Sequence, residues 1–260
     1  MGLSFDLRGH RLLVVGASSG LGRAIGLAAA RAGARVALAA RRRAQLEQAA
    51  AEAAGAALAL PCDVRRESDC QGAVAAAAEA LGGLDGLVYA AGMAPLVPVE
   101  GASAEQWRAV TETNLIGAAL VSGAAIPHLR KSRGRAVYLS SYAVRQCLPG
   151  LALYRVSKCA LDALIEDLRM EHPDLQFTRV LVGNTEGTEF GAAWGKERLE
   201  AATRTWVERR LFPASTWMSP EAVCEAVLSV LAQRGYVDDL AVMPRPADPE
   251  IPQAPARGPA

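Results

Sequence analysis

Tyr154-Arg155-Val156-Ser157-Lys158 sets a phenol and an ammonium one helical turn apart on a single face, about 5–6 Å between Cβ atoms. A free phenol holds its proton to about pH 10. A positive charge at that range favours the phenolate and brings proton exchange toward neutrality. Such a pair suits a general acid or base working on an oxygen atom. Lysine is scarce here, at Lys131, Lys158 and Lys196 only, so one of them beside this tyrosine is selective. A second constellation is Gly16-Ala17-Ser18-Ser19-Gly20-Leu21-Gly22, between an apolar run and a helical pattern. Glycines let a backbone approach a ligand closely, and a helix N-terminus attracts pyrophosphate, so this loop predicts a dinucleotide site. The third is Arg41-Arg42-Arg43, with no carboxylate until Glu47. An NAD site carries an acid about twenty residues beyond its glycine loop, bonded to the ribose 2′-hydroxyl. Arginine there grips a 2′-phosphate through its planar fork, which predicts NADP(H), with Arg41 as the main contact and Arg42 beside it. A merely solvated helix start is the competing reading, and positive charge at a helix N-terminus counts against it.

The elements that must carry these residues alternate. Apolar runs at 11–15, 35–39, 57–60, 86–90, 135–139, 176–182 and 239–243 predict strands. Helical patterns fill 21–32, 44–54, 68–81, 104–129, 151–171 and 220–233. Unbroken apolar strands between helices predict an α/β fold: a single doubly wound Rossmann domain, seven strands in one parallel sheet with helices on both faces. That domain is expected to span 1–248, followed by a disordered Pro- and Ala-rich tail at 249–260. The long aromatic segment 184–219 breaks the alternation and reads as a substrate lid with short helices of its own.

The chain has 260 residues, 51% of them hydrophobic, with a net charge of +1. That balance argues against nucleic acid or an anionic membrane surface as a partner. No apolar run is expected to span a bilayer or to serve as a secretion signal. The five cysteines are odd in number and lack C-x-x-C spacing, so they read as reduced thiols of a cytoplasmic protein. His10, His128 and His172 have no ligand-like spacing, and no metal site is expected.

With these motifs in hand, the chain resembles the short-chain dehydrogenase/reductase family over about residues 8–244. Gly16, Gly20 and Gly22 match its glycine loop, Asp63-Val64 the pair after its third strand, Asn114 its helix-borne asparagine, and Ser141, Tyr154 and Lys158 its catalytic set. The resemblance implies that Tyr154 exchanges a proton with a carbonyl or alcohol oxygen. Lys158 would lower the phenol's pKa and hold the nicotinamide ribose, and Ser141 would bond the substrate oxygen. Asn114 would fix a relay water, and Asp63 would contact the adenine. The family's Asn-Asn-Ala-Gly appears as Tyr89-Ala90-Ala91-Gly92, which keeps Ala91 and Gly92 beside the coenzyme but loses both amides. Its Pro-Gly turn appears as Gly183-Asn184, Glu186 replaces an apolar residue near the nicotinamide, and Thr188 stands where the carboxamide is bonded. Met93, Leu96, Tyr142, Ala143, Leu148, Phe190 and Trp194 are expected to line a pocket for a largely apolar carbonyl or alcohol substrate. Alternatively, the lid aromatics simply pack on the domain. A homo-oligomer, tetramer or dimer, is expected through helices 104–129 and 151–171. Two other readings stay open: a sensor or scaffold that binds NADP(H) without turnover, and a family member catalysing dehydration, epimerisation or isomerisation.

Overall fold

The computed structural model describes residues 5–187, 189–191, 194–209, 211 and 217–244. The expected tail 249–260 and Thr188 lie outside them, as does part of 184–219. The strands β1 (Arg11–Val15), β2 (Arg35–Ala40), β3 (Ala57–Pro61), β4 (Gly86–Tyr89), β5 (Arg135–Ser141), β6 (Gln176–Val182) and β7 (Asp239–Val242) form one sheet in the order β3-β2-β1-β4-β5-β6-β7. Every pairing is parallel. The order reverses between β1 and β4, the place where α/β sheets open a crevice for ligands.

Successive strand residues point to opposite faces, so each central strand feeds two cores. Leu13, Val15, Tyr89, Tyr138 and Phe177 pack beneath α3 (Glu67–Leu81), α5 (Gly117–Ser132) and α6 (Ala152–Glu171). Leu12, Val14, Val36, Leu38 and Val137 pack beneath α1 (Gly20–Arg31), α2 (Arg43–Glu52) and α8 (Pro220–Ala232). A third, small core of Ala94, Leu96, Leu151, Tyr154, Trp194 and Trp206 lies under α7 (Lys196–Glu208), the helix of the lid segment. At the opposite end of the sheet, first residues of strands cap helix C-termini. Arg35 donates to the carbonyls of Ala80 and Leu81 at 2.9 Å, and Arg135 donates to Val230. Positive charge is favourable there because the last carbonyls of a helix are unpaired and carry its negative pole.

Two expectations need correction. The helix at 104–129 is three pieces: α4 (Ala104–Thr111), a π turn over Glu112–Ile116, and α5, which runs to Ser132. A reciprocal capping box between Ser103 and Gln106 starts it. The whole run Ala104–Ser132 is also long and apolar enough by composition to cross a membrane, against the expectation that no run would be. Half of its most apolar window is buried inside the fold.

Candidate active site

The candidate residues converge at the C-terminal edge of the central strands. β5 extends past its expected end and carries Ser140 and Ser141 to its tip. α6 then brings Tyr154 and Lys158 back onto that tip, at 7% and 5% exposure, so both reactive heads are shielded from bulk water. Burial pushes the Tyr154 phenol up to about 12, with Ser141 opposing through a hydrogen bond and Asp162 adding to the rise. Burial brings Lys158 down to about 8, with Asp162 pulling it back up. The expected depression of the phenol by Lys158 is not seen. Lys158 Nζ donates to the Leu139 carbonyl at 2.7 Å and stands 5.9 Å from the Tyr154 ring centre, so desolvation wins.

Asn114 is completely buried, and the π turn places it there. A π turn inserts an extra residue into the helical path, which re-aims the side chains around it. The amide of Asn114 accepts from the Met93 N–H at 2.8 Å and donates to the Met93 carbonyl and to Ser157 Oγ, both at 2.9 Å. Both of its amide protons are therefore used by protein groups. Ser157 Oγ in turn donates to the Tyr154 carbonyl at 2.7 Å.

The glycine loop fits a dinucleotide. A Cβ on Gly16 would meet Ala91 N at 2.5 Å, and one on Gly22 would meet the Gly16 carbonyl oxygen at 2.4 Å, so loop, helix and strand end close tightly only with glycine at both places. Ser19 does not bond back onto the first amides of α1, and the first turn holds no acid, which suits an anion at that helix start. Leu21 follows in the first turn of α1. Of the three arginines, Arg42 bonds the loop, and Arg41 lies near enough to Asp63 to help lower its carboxyl. The Arg42 guanidinium meets Ser18 Oγ at 3.1–3.2 Å and also bonds Ser19 Oγ. Arg43 is occupied by Glu47 at 2.7 Å. Asp63 is clasped by Arg65 through both carboxylate oxygens, which holds its carboxyl below the usual range, and Val64 follows it, buried. Gly92 packs near Asn114 and Lys158.

The expected pocket residues divide. Leu96 and Trp194 are buried in the lid core, with Ala143 and Leu148 packed against it. Trp194 Nε1 donates to the Ala94 carbonyl, and Trp206 Nε1 to the Pro149 carbonyl at 2.9 Å. Phe190 and Met93 remain partly open at 43% and 37%, and Tyr142 is half-buried. The Phe190 ring stands edge-on to Tyr154 at 5.0 Å between centres and to Trp194 at 5.2 Å. A further residue of the site is Asp162, a buried carboxylate one turn beyond Lys158. It accepts from Ser140 Oγ at 2.5 Å and lies 3.4 Å from Arg179. An acid four places after the lysine is an i,i+4 signal that was available in the sequence.

A family model described as short chain dehydrogenase matches residues 10–198. Glycine betaine reductase ATRR of Emericella nidulans is 31% identical over 251 residues, which are 94% of this chain and 19% of that protein. The 11-beta-hydroxysteroid dehydrogenase-like 2 protein of Arabidopsis thaliana is 34% identical over 184 residues, 68% of this chain and 60% of that protein. The chain thus spans at most about three-fifths of the length of these two relatives. An alcohol dehydrogenase of Thermococcus sibiricus, solved in complex with 5-hydroxy-NADP, superposes with a TM-score of 0.79 at 26% identity, covering 92% of this chain and 98% of that one.

Proposed function

The chain belongs to the short-chain dehydrogenase family, and from that premise we propose that it is an NADPH-dependent reductase of a largely apolar ketone or aldehyde, or the corresponding alcohol dehydrogenase. The observation that carries the reading is the buried pairing of Tyr154 and Lys158 beside Ser141, at the strand tips where the glycine loop also opens. When bound, the nicotinamide supplies or accepts the hydride. Tyr154 Oη gives its proton to the carbonyl oxygen as the carbon is reduced, and takes it back in the reverse direction. Ser141 Oγ donates to the same oxygen and stabilises its developing charge. Lys158 holds a positive charge one turn from the phenol and would hold the ribose of the bound coenzyme. Asn114 keeps the Met93 loop and α6 in register through its amide.

Two features support NADP(H) over NAD(H). Arg42 lies over Ser18 and Ser19, and no carboxylate follows β2 until Glu47. The Thermococcus sibiricus relative is itself in complex with an NADP derivative. The apolar substrate reading rests on Phe190, 43% exposed and edge-on to Tyr154, and on the partly open Met93 next to Asn114. Oxidation of NADPH with a panel of ketones and aldehydes, followed at the nicotinamide absorbance, tests the reading. Wild type should consume NADPH with stoichiometric alcohol formation. Tyr154→Phe should keep coenzyme affinity and lose turnover by roughly three orders of magnitude or more. Near-normal turnover in that variant would remove the mechanism.

A further inference from the structure

Tyr89 closes β4 where the family carries the first asparagine of its Asn-Asn-Ala-Gly run, and its side chain is fully buried. Its Oη donates to the Thr113 carbonyl at 2.6 Å. Thr113 lies inside the π turn, immediately before Asn114. Gly117 follows the turn, and a Cβ there would fall 2.7 Å from Tyr89 Oη and 2.8 Å from Val64 Cβ. The hydroxyl therefore occupies room that exists only because residue 117 has no side chain. β4 and the loop after it hold the turn at two points, Tyr89 through its phenol and Met93 through both backbone groups bonded to Asn114. From Asn114 the bonds continue through Ser157 Oγ to the Tyr154 carbonyl.

We propose that Tyr89 is a positioning residue of the active site, its phenol locking the π turn so that Asn114 braces the helix carrying Tyr154 and Lys158. It supplies from the strand an anchor for the α4–α5 helix after both family amides have been lost. The inference rests on the dehydrogenase reading for its effect on turnover, but its effect on the turn does not depend on that reading.

Tyr89→Phe keeps the ring and removes only the hydroxyl, leaving a buried carbonyl without its partner. Tyr138→Phe is the matched control. That phenol is equally buried and bonds Ser122 Oγ at 2.6 Å under α5, with no bond to the π turn or to Asn114. The expected result is that Tyr89→Phe lowers kcat about tenfold with the coenzyme KM unchanged, while Tyr138→Phe keeps kcat. Amide hydrogen exchange over 112–117 should quicken in Tyr89→Phe alone. Equal kcat in the two variants together with unchanged exchange at the turn would overturn the proposal, because a purely structural phenol predicts that likeness. If wild type turns over no carbonyl with NADPH, the functional reading fails, and the exchange comparison still decides the role of Tyr89.

Discussion

At Lys158 two forces of opposite sign meet. Burial lowers the ammonium to about 8, while Asp162, one turn further along α6, raises it. The same carboxylate adds to the rise of Tyr154, which burial takes to about 12. Asp162 is itself raised by burial and is opposed by Ser140, Arg179 and Lys158, with Asp239 and Glu166 completing the charged groups around Arg179. In the proposed reduction Tyr154 keeps its proton across the neutral range, and Lys158 is cationic below about pH 8. Turnover should therefore hold level up to that pH and fall above it. Asp162→Asn removes a charge that raises both groups, so the fall should begin at lower pH. Rate profiles of kcat against pH for the two proteins check this, and coincident curves would place Asp162 outside the reaction. Unfolding does not mimic the effect through this group. The folded value of Lys158 lies below its ordinary 10.5, so between about 8 and 10.5 the unfolded chain binds more protons, and this lysine's own contribution makes stability rise with pH. Circular dichroism through that window separates lost protonation from lost structure.

Among the elements, at the junction with α2, β2 runs to Ala40, one residue past its expected end, and of the three arginines after it Arg42 is bonded to the serines of the glycine loop. Arg42→Asp should lower the ratio of kcat/KM for NADPH to that for NADH by about tenfold to a hundredfold, the range for one charge-assisted contact. An acid at the start of α2 also suits the helix dipole, so the melting temperature should hold. An unchanged coenzyme ratio in this variant, with a collapse in Arg41→Asp, would return the grip to Arg41. The sheet was legible in the sequence because parallel strands buried on both faces read as unbroken apolar runs. The end of β5 was not legible because its last residues are the polar Ser140 and Ser141, held in the ladder by pairing with Leu181 and Val182 of β6. The π turn left no trace in composition, since its i→i+5 bonding has no propensity of its own and Thr113-Asn114 pass as ordinary polar residues in a helix. The lid was legible as a segment but not in its parts. Trp194 and Trp206 sink into the third core together with Tyr154, their indole N–H groups bonded to the carbonyls of Ala94 and Pro149, and the Phe190 ring stands edge-on to Tyr154.

For the whole molecule, the helices that build the site also present its most suggestive surface. α6 turns Tyr154 and Lys158 inward and leaves Val156, between them in sequence, at 50% exposure. Ile116, the last residue of the π turn, is 44% exposed. Scattered exposed apolar residues are ordinary on a surface, but these two sit on adjacent elements whose inner faces hold the candidate catalytic groups. A second copy of the chain packed there would bury both side chains and stiffen α6 from outside, in the way an isologous two-fold contact places the same patch on both partners. Light scattering at micromolar concentration should then show a dimer or tetramer. Val156→Lys puts a charge in that contact, and at an exposed helix position it should change the protomer's own stability by about half a kcal/mol or less. The variant should therefore run as a smaller species with its fold intact. Its kcat should fall, because Tyr154 and Lys158 then ride on a helix braced from the inside alone, through Ser157 and Asn114. A wild-type protein that runs as a monomer at that concentration would remove the assembly, and a smaller variant with full turnover would separate the assembly from catalysis.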